Sequence, residues 1–306
     1  MKKIMKTAYL FALIVGAFMF TGCEDWFDVS SDIDAKEDDL YKTENGYFDA
    51  LIGVYAKMAG TSLYGDQMTI STMDLLAYSY VLRDGAPEIY TSFANFDYKT
   101  ANTEKVIASI WEGMYNAIAN DNKLLERLEN ADRKIFDDDN YDLIKGEALA
   151  LRAYLHFDLL RLFGPVYSEN PTGKAIPYRV SFDQKATPVL PAEQVVTYVL
   201  KDLHEADSLL EVSDNKSFEI PNTYDKEYNA FESSRQMRMN VYAVRAMLAR
   251  VYLYKGDAES KAKALTYARE VVESGYFDLY EDNSNPVLFG EHVFGLNVYE
   301  LDKLLE

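Results

Sequence analysis

The stretch Lys145–Val166, KGEALALRAYLHFDLLRLFGPV, constrains this chain most. At about 100° per residue, Ile144, Ala148, Leu151, Leu155, Leu159 and Leu162 share one helical face. Ala150, Ala153, Phe157 and Leu160 gather on nearly the opposite one. A helix apolar on two sides needs partners on two sides, so the expected fold is mainly all-α, with further helices packed around this one. Two polar seams separate the faces: Lys145, Arg152 and His156 on one, Glu147, Asp158 and Arg161 on the other. The helix should end with Gly164 in a left-handed C′ position and Pro165 beyond it, which lacks an N–H and cannot continue the helix.

The other helices follow from periodicity and caps. Thr43 and Gly46 open one running to about Ala59, with Phe48, Leu51, Ile52 and Tyr55 at helical spacing. Thr103 is the expected cap of the next, with Glu104 in its first turn, and residues 107–128 should pair antiparallel with 142–163 across a charged loop. Pro171, Pro177 and Pro188 make 165–191 extended, and a helix follows from Ala192 to about Leu210. Residues 211–236 read as a polar surface loop. Met239–Lys255 and Ser260–Ser274, joined by Gly256-Asp257, form a pair whose alanines let the backbones approach, as in tetratricopeptide (TPR) repeats. Val293–Val298 alternates like a strand. The expected architecture is therefore TPR-like antiparallel helix pairs with long loops and few short strands.

Several of these stretches resemble one family. Glu147-Ala-Leu-Ala-Leu-Arg152-Ala-Tyr154, with Phe157-Asp158-Leu159 and Leu162-Phe163-Gly164-Pro165-Val166, resembles the central helix of the SusD/RagB family of outer-membrane nutrient-binding lipoproteins. Tyr41–Tyr55 resembles that family's opening helix, and Trp111 to Asn122 its tryptophan-to-asparagine helix. Ala175-Ile176-Pro177 resembles a short motif after the central helix. Family members are considerably longer, so the resemblance implies that these residues correspond to their N-terminal part. It also implies an oligosaccharide ligand, a TonB-dependent β-barrel transporter of the SusC type as partner, and no catalysis.

The N-terminus agrees with that resemblance. Lys2, Lys3 and Lys6 precede an apolar run from Ala8 to Phe20, too short to span roughly 30 Å of hydrocarbon and shaped like a signal peptide. Phe20-Thr21-Gly22-Cys23 looks like a lipobox, with Phe20 where Leu is usual. Residues 1–22 are thus expected to be removed, and Cys23, the single cysteine, to carry acyl chains that anchor the protein. Residues 23–40 read as an acidic tether and 41–306 as the helical domain. Glu24 and Asp25 resemble the signal that sends such lipoproteins to the cell-surface face of the outer membrane.

Charge excludes some partners. The chain carries 50 acidic against 31 basic side chains, a formal −19, and removal of residues 1–22 makes it more negative. With no concentrated run of Lys or Arg, it would repel nucleic acid and anionic lipid. Three histidines fall in no catalytic or metal-binding spacing; His204-Glu205 is followed by Ser208 where a zinc-protease helix needs a second His. Nucleophile-elbow, P-loop and dinucleotide motifs are absent, and Asp137–Asp139 lacks the glycine and glutamate of a calcium loop. No cofactor, metal site or catalytic residue is expected.

A binding surface is expected in 61–102, a long loosely patterned segment with a weakly helical piece over Met73–Val81 and an aromatic series after the turn at 83–87. Sugars offer C–H faces that stack on aromatic rings and hydroxyls that bond to charged side chains. The candidates are Asp74, Tyr78, Tyr80, Arg83, Asp84, Tyr90 and Tyr98. A helical scaffold for a protein partner is the alternative of a different class, and a surface glycosidase a third.

Overall fold

The computed structural model describes residues 37–214, 231, 233–277, 279 and 289–298. The export segment, Cys23, most of the tether and residues 299–306 lie outside the described residues. The chain divides into two compact units, 1–42 and 43–306. In the first, residues 37–40 form a helical turn and Lys42 pairs with Asp39 at 2.6 Å.

The second unit begins with α1 (Glu44–Met58), capped by Thr43, whose hydroxyl accepts from the Gly46 amide at 3.3 Å. Phe48, Leu51, Val54 and Met58 are buried along it, whereas Ile52 lies outside the stripe and is 44% exposed. Two short helices follow, α2 (Thr72–Leu76) and α3 (Glu88–Ala94). Next comes α4 (Ala101–Glu129), at 29 residues about 43 Å long. Its cap is Thr100 and not Thr103. Thr100 has extended backbone, so its hydroxyl reaches the Thr103 amide at 3.2 Å, while Thr103 is already helical and buried.

The central helix, α5 (Asn140–Phe163), has both apolar faces covered. Ile144, Leu151, Leu155 and Leu159 on one side and Ala153, Phe157 and Leu160 on the other show no exposure. Each large side chain contributes about 1.5–3 kcal/mol of burial. The helix packs most extensively on α6 (Ala192–Ser213), then on α4, and more lightly on α1 and α7 (Val241–Lys255). Gly164 is extended (φ −83°, ψ 172°), not left-handed. Glycine is required there by space: a Cβ would stand 2.5 Å from the Leu160 carbonyl oxygen and 2.8 Å from its Cδ1.

Between α5 and α6, β1 (Lys174–Pro177) and β2 (Val189–Pro191) form an antiparallel two-stranded ribbon, and the Ala175-Ile176-Pro177 motif is β1 itself. The last pair, α7 and α8 (Ala258–Val272), is joined by Gly256 in the left-handed region (φ +80°) and by Asp257, which caps α8. Helices thus stack pairwise in chain order, the TPR-like all-α arrangement.

Two further expectations fail. The ends of the 211–236 stretch are core, not surface: Asp214 shows no exposure and Arg235 2%. Val293–Val298 is not a strand. Its backbone serves the turn before α7 instead, the Gly295 amide donating to the Gln236 carbonyl (2.9 Å) and the Val293 carbonyl accepting from the Asn240 side chain (2.7 Å).

The polar seams of α5 become inter-helix clasps. Arg152 donates to Asp202 of α6 through Nε (2.7 Å) and Nη2 (2.9 Å) and to Asn122 of α4 through Nη1 (3.1 Å). Tyr178 donates to the same Asp202 at 2.6 Å. His156 stacks on Tyr178 and accepts the Arg179 amide at Nε2 (3.0 Å), so Nδ1 carries the proton, donated to the Arg152 carbonyl (2.8 Å). On the other seam Glu147 accepts from Arg235 and Tyr55, each at 2.6 Å, and Arg235 also reaches Asp214 at 2.5 Å. Asp158 accepts from Tyr64 at 2.9 Å.

Candidate functional site

The segment between α1 and α4 is built from turns. After α2, Tyr78 turns the chain with φ +55°, and after α3, Phe96 does the same with φ +55°. Aromatic residues rarely hold this conformation; it costs on the order of 1–3 kcal/mol and concentrates at functional positions. The two rings meet edge to face, centroids 5.4 Å apart, and Phe96 meets Tyr98 at 6.5 Å in the same manner. All three stay in solvent, Tyr78 at 65%, Phe96 at 46% and Tyr98 at 44% exposure. Partial burial, then the neighbouring Tyr78, raise the Tyr98 phenol above its ordinary pKa.

Tyr98 also stands on the rim of a cavity of about 370 Å³. One face of α4 forms its floor, with Glu104, Ile107, Ala108, Trp111 and Glu112 at helical spacing. The cavity is open to solvent; Phe163, at the end of α5, also lines it and meets Trp111 edge-on at 4.9 Å. Tyr115 also meets the indole, at 4.8 Å, and is held in turn by a hydrogen bond to the Pro177 carbonyl (2.8 Å).

The seven sequence candidates separate. Tyr78 and Tyr98 come together through Phe96. Tyr80 and Asp74 form a pair of their own at 3.1 Å, the Tyr80 hydroxyl also donating to the Ile70 carbonyl at 2.7 Å. Arg83 and Asp84 lie exposed on the turn ending in Gly85 (φ +81°), and Tyr90 is 42% exposed on α3 with no ring contact to the string among the described residues. Phe96 belongs to the aromatic series noted in the sequence, whereas Glu104, Trp111, Glu112 and Phe163 were not among the candidates. The i, i+3, i+4, i+7 series from Glu104 was the available signal.

His156 and His204 serve packing. Burial pushes His156 down to about 3, as its acceptor role at Nε2 requires. His204 bonds the Tyr252 hydroxyl at 2.8 Å. A second cavity, about 310 Å³, opens over Arg152 and Phe182, but the Arg152 guanidinium is spent on Asp202 and Asn122. No group of three or more metal-ligating side chains occurs among the described residues, and no helix there is long and apolar enough to cross a membrane.

Known proteins share this fold. A SusD superfamily structure from Bacteroides fragilis overlays with a TM-score of 0.60 at 23% identity, covering 79% of this chain and 52% of that one. The surface glycan-binding protein A of Bacteroides thetaiotaomicron, solved with laminarihexaose, overlays at 0.58 and 17% identity over 83% of this chain and 48% of its own. At these identities the likeness establishes the fold. A SusD-like protein of Bacteroides ovatus is 25% identical over 208 residues, 64% of this chain and 33% of that protein. The chain thus spans about a third of this relative and about half of the solved structures. Residues 25–253 match the SusD-like family model described as starch-binding and associating with the outer membrane. That match, over most of the chain and on the helical frame just described, makes the chain a member of the SusD-like family.

Proposed function

We propose that this protein is an outer-membrane, cell-surface lipoprotein that binds an oligosaccharide through the Tyr78–Phe96–Tyr98 string and the adjoining cavity, and passes it unaltered to a SusC-type TonB-dependent transporter. The carrying observation is the string itself: three exposed rings in edge contact, two of them on strained backbone. Exposed rings of this kind suit the C–H faces of sugars. Family membership and the glycan complex of a fold relative support the ligand class. Asp74, Tyr80, Arg83, Asp84 and Tyr90 flank the string in sequence and supply further polar and aromatic groups to the surface. The lipobox ending at Cys23 supports acyl anchoring and residues 23–40 a tether from membrane to domain.

Affinity electrophoresis of the full chain in detergent, through gels containing different glycans, tests the reading. Retardation by at least one glycan, abolished in a Tyr78→Ala/Tyr98→Ala double variant, is the expected result; unchanged mobility across a broad panel refutes it. Cys23→Ala should release the protein from membranes, and aryl-glycosides should not be turned over. The scaffold reading is favoured by exposed apolar side chains on α7 and α8, Leu253 at 63%, Leu265 at 53% and Val272 at 77%. Capture from solubilised membranes separates the two: a large β-barrel should co-purify under the first and not under the second.

A further inference from the structure

The cavity behind Tyr98 has a chemistry that the exposed rings lack. Its apolar floor, Ile107, Ala108 and the Trp111 indole, lies between two carboxylates on the same face of α4, Glu104 and Glu112. Eight residues at 1.5 Å each separate their backbone positions by about 12 Å along the helix. No Lys or Arg lines the cavity, and neither glutamate has an ion-pair partner among the described residues. Two further aromatic groups, Tyr98 and Phe163, complete the lining. Aromatic faces and carboxylates attract the same species, an organic cation. A volume of about 370 Å³ sits at the low end of small-ligand pockets, room for one or two sugar rings.

From this the geometry points to an amino sugar with a free, protonated amine as the occupant of the cavity, its ring against Trp111 and Tyr98 and its ammonium against Glu104 or Glu112. The assignment rests on the glycan reading and names the class of glycan. It also names what the cavity rejects, since uronic acids and sulfated sugars would bring a second anion to an anionic wall in a chain of formal charge −19.

The test uses three β-1,4-linked glucose-type oligomers of equal length that differ only at C2, carrying an amine, an N-acetyl group or a hydroxyl. Their affinities for the full chain in detergent are measured by calorimetry in mildly acidic, low-salt buffer. The amine form should bind about tenfold more tightly than the other two. That ratio should fall to about one in a Glu104→Gln/Glu112→Gln variant and shrink with added salt. Thermal unfolding of the variant, matched to the parent, establishes that it is folded. Equal binding of all three oligomers overturns the assignment while leaving the glycan reading in place. A preference that survives the double substitution also overturns it, because bulk acidity and not the cavity would then be responsible. If no glycan of any class binds, both readings fall together.

Discussion

Arg235→Met would expose how much of this fold depends on one buried cation. The Arg235 side chain is 1% exposed and bridges two carboxylates with no exposure at all, Glu147 at 2.6 Å and Asp214 at 2.5 Å. Burial alone would weaken its charge, yet Asp214 and Glu147 hold its pKa above the ordinary guanidinium value. Methionine keeps length and apolar bulk but leaves both acids behind. Glu147 retains the Tyr55 hydroxyl and a distant Arg238 at 4.0 Å, and Asp214 retains the Val241 amide at 2.8 Å. Removing one partner from such a buried set costs about 3–5 kcal/mol, a large fraction of the 5–15 kcal/mol that holds a typical domain together. Urea unfolding followed by circular dichroism at neutral pH measures the deficit. A deficit under about 1 kcal/mol would refute the reasoning.

Asp121 is fully buried with neither carboxylate oxygen hydrogen-bonded, and burial raises its pKa well above the usual range, offset only in part by Arg152. Stability attached to it is lost as pH rises, so Asp121→Asn should be more stable than the parent at alkaline pH and the two should converge in acid, as read by melting temperature. His156 runs the opposite way: with its folded pKa depressed to about 3, stability present above about pH 6.5 should decline as pH falls toward 3, and the decline should flatten in His156→Gln. Gly146→Ala places a Cβ 2.7 Å from Leu210 Cγ on α6, an overpacking expected to cost about 1–3 kcal/mol in denaturant unfolding. Tyr78→Gly relieves a left-handed tyrosine that is 65% exposed, so it should leave stability equal or higher than Tyr78→Ala while both lose glycan retardation.

Much of the frame was legible because it repeats. Leu151 and Phe157 on opposite faces of α5 could be satisfied only by neighbours on both sides, and both are fully buried. Thr43, Gly256 and Pro165 marked helix ends through local backbone chemistry that needs no distant partner. Gly164 shows the limit of such rules: its place at the helix end was correct, but the reason is a contact with Leu160 and not a positive φ. Thr100 displaced Thr103 as cap because a one-turn shift leaves a polar pattern of the same kind and only backbone angle decides between them.

The candidate site was legible in outline only. The loose pattern and aromatic series drew attention to 61–102, where Tyr78 and Tyr98 both meet Phe96. The place of Phe96 between them, and the Glu104–Trp111–Glu112 face below, were hidden because a ring on an exposed turn and a ring in a core look alike in a one-dimensional pattern. Arg235 was hidden more thoroughly, since a charged residue in a polar stretch gives no sign of burial until Glu147, 88 positions away, is brought against it. Periodicity and capping are short-range, and the chain alone therefore set its helices, their order and the need to cover α5 twice. Which polar side chains became clasps, which aromatics stayed in water and which acids were left facing a cavity depended on long-range juxtaposition, and that exists only once the helices have packed.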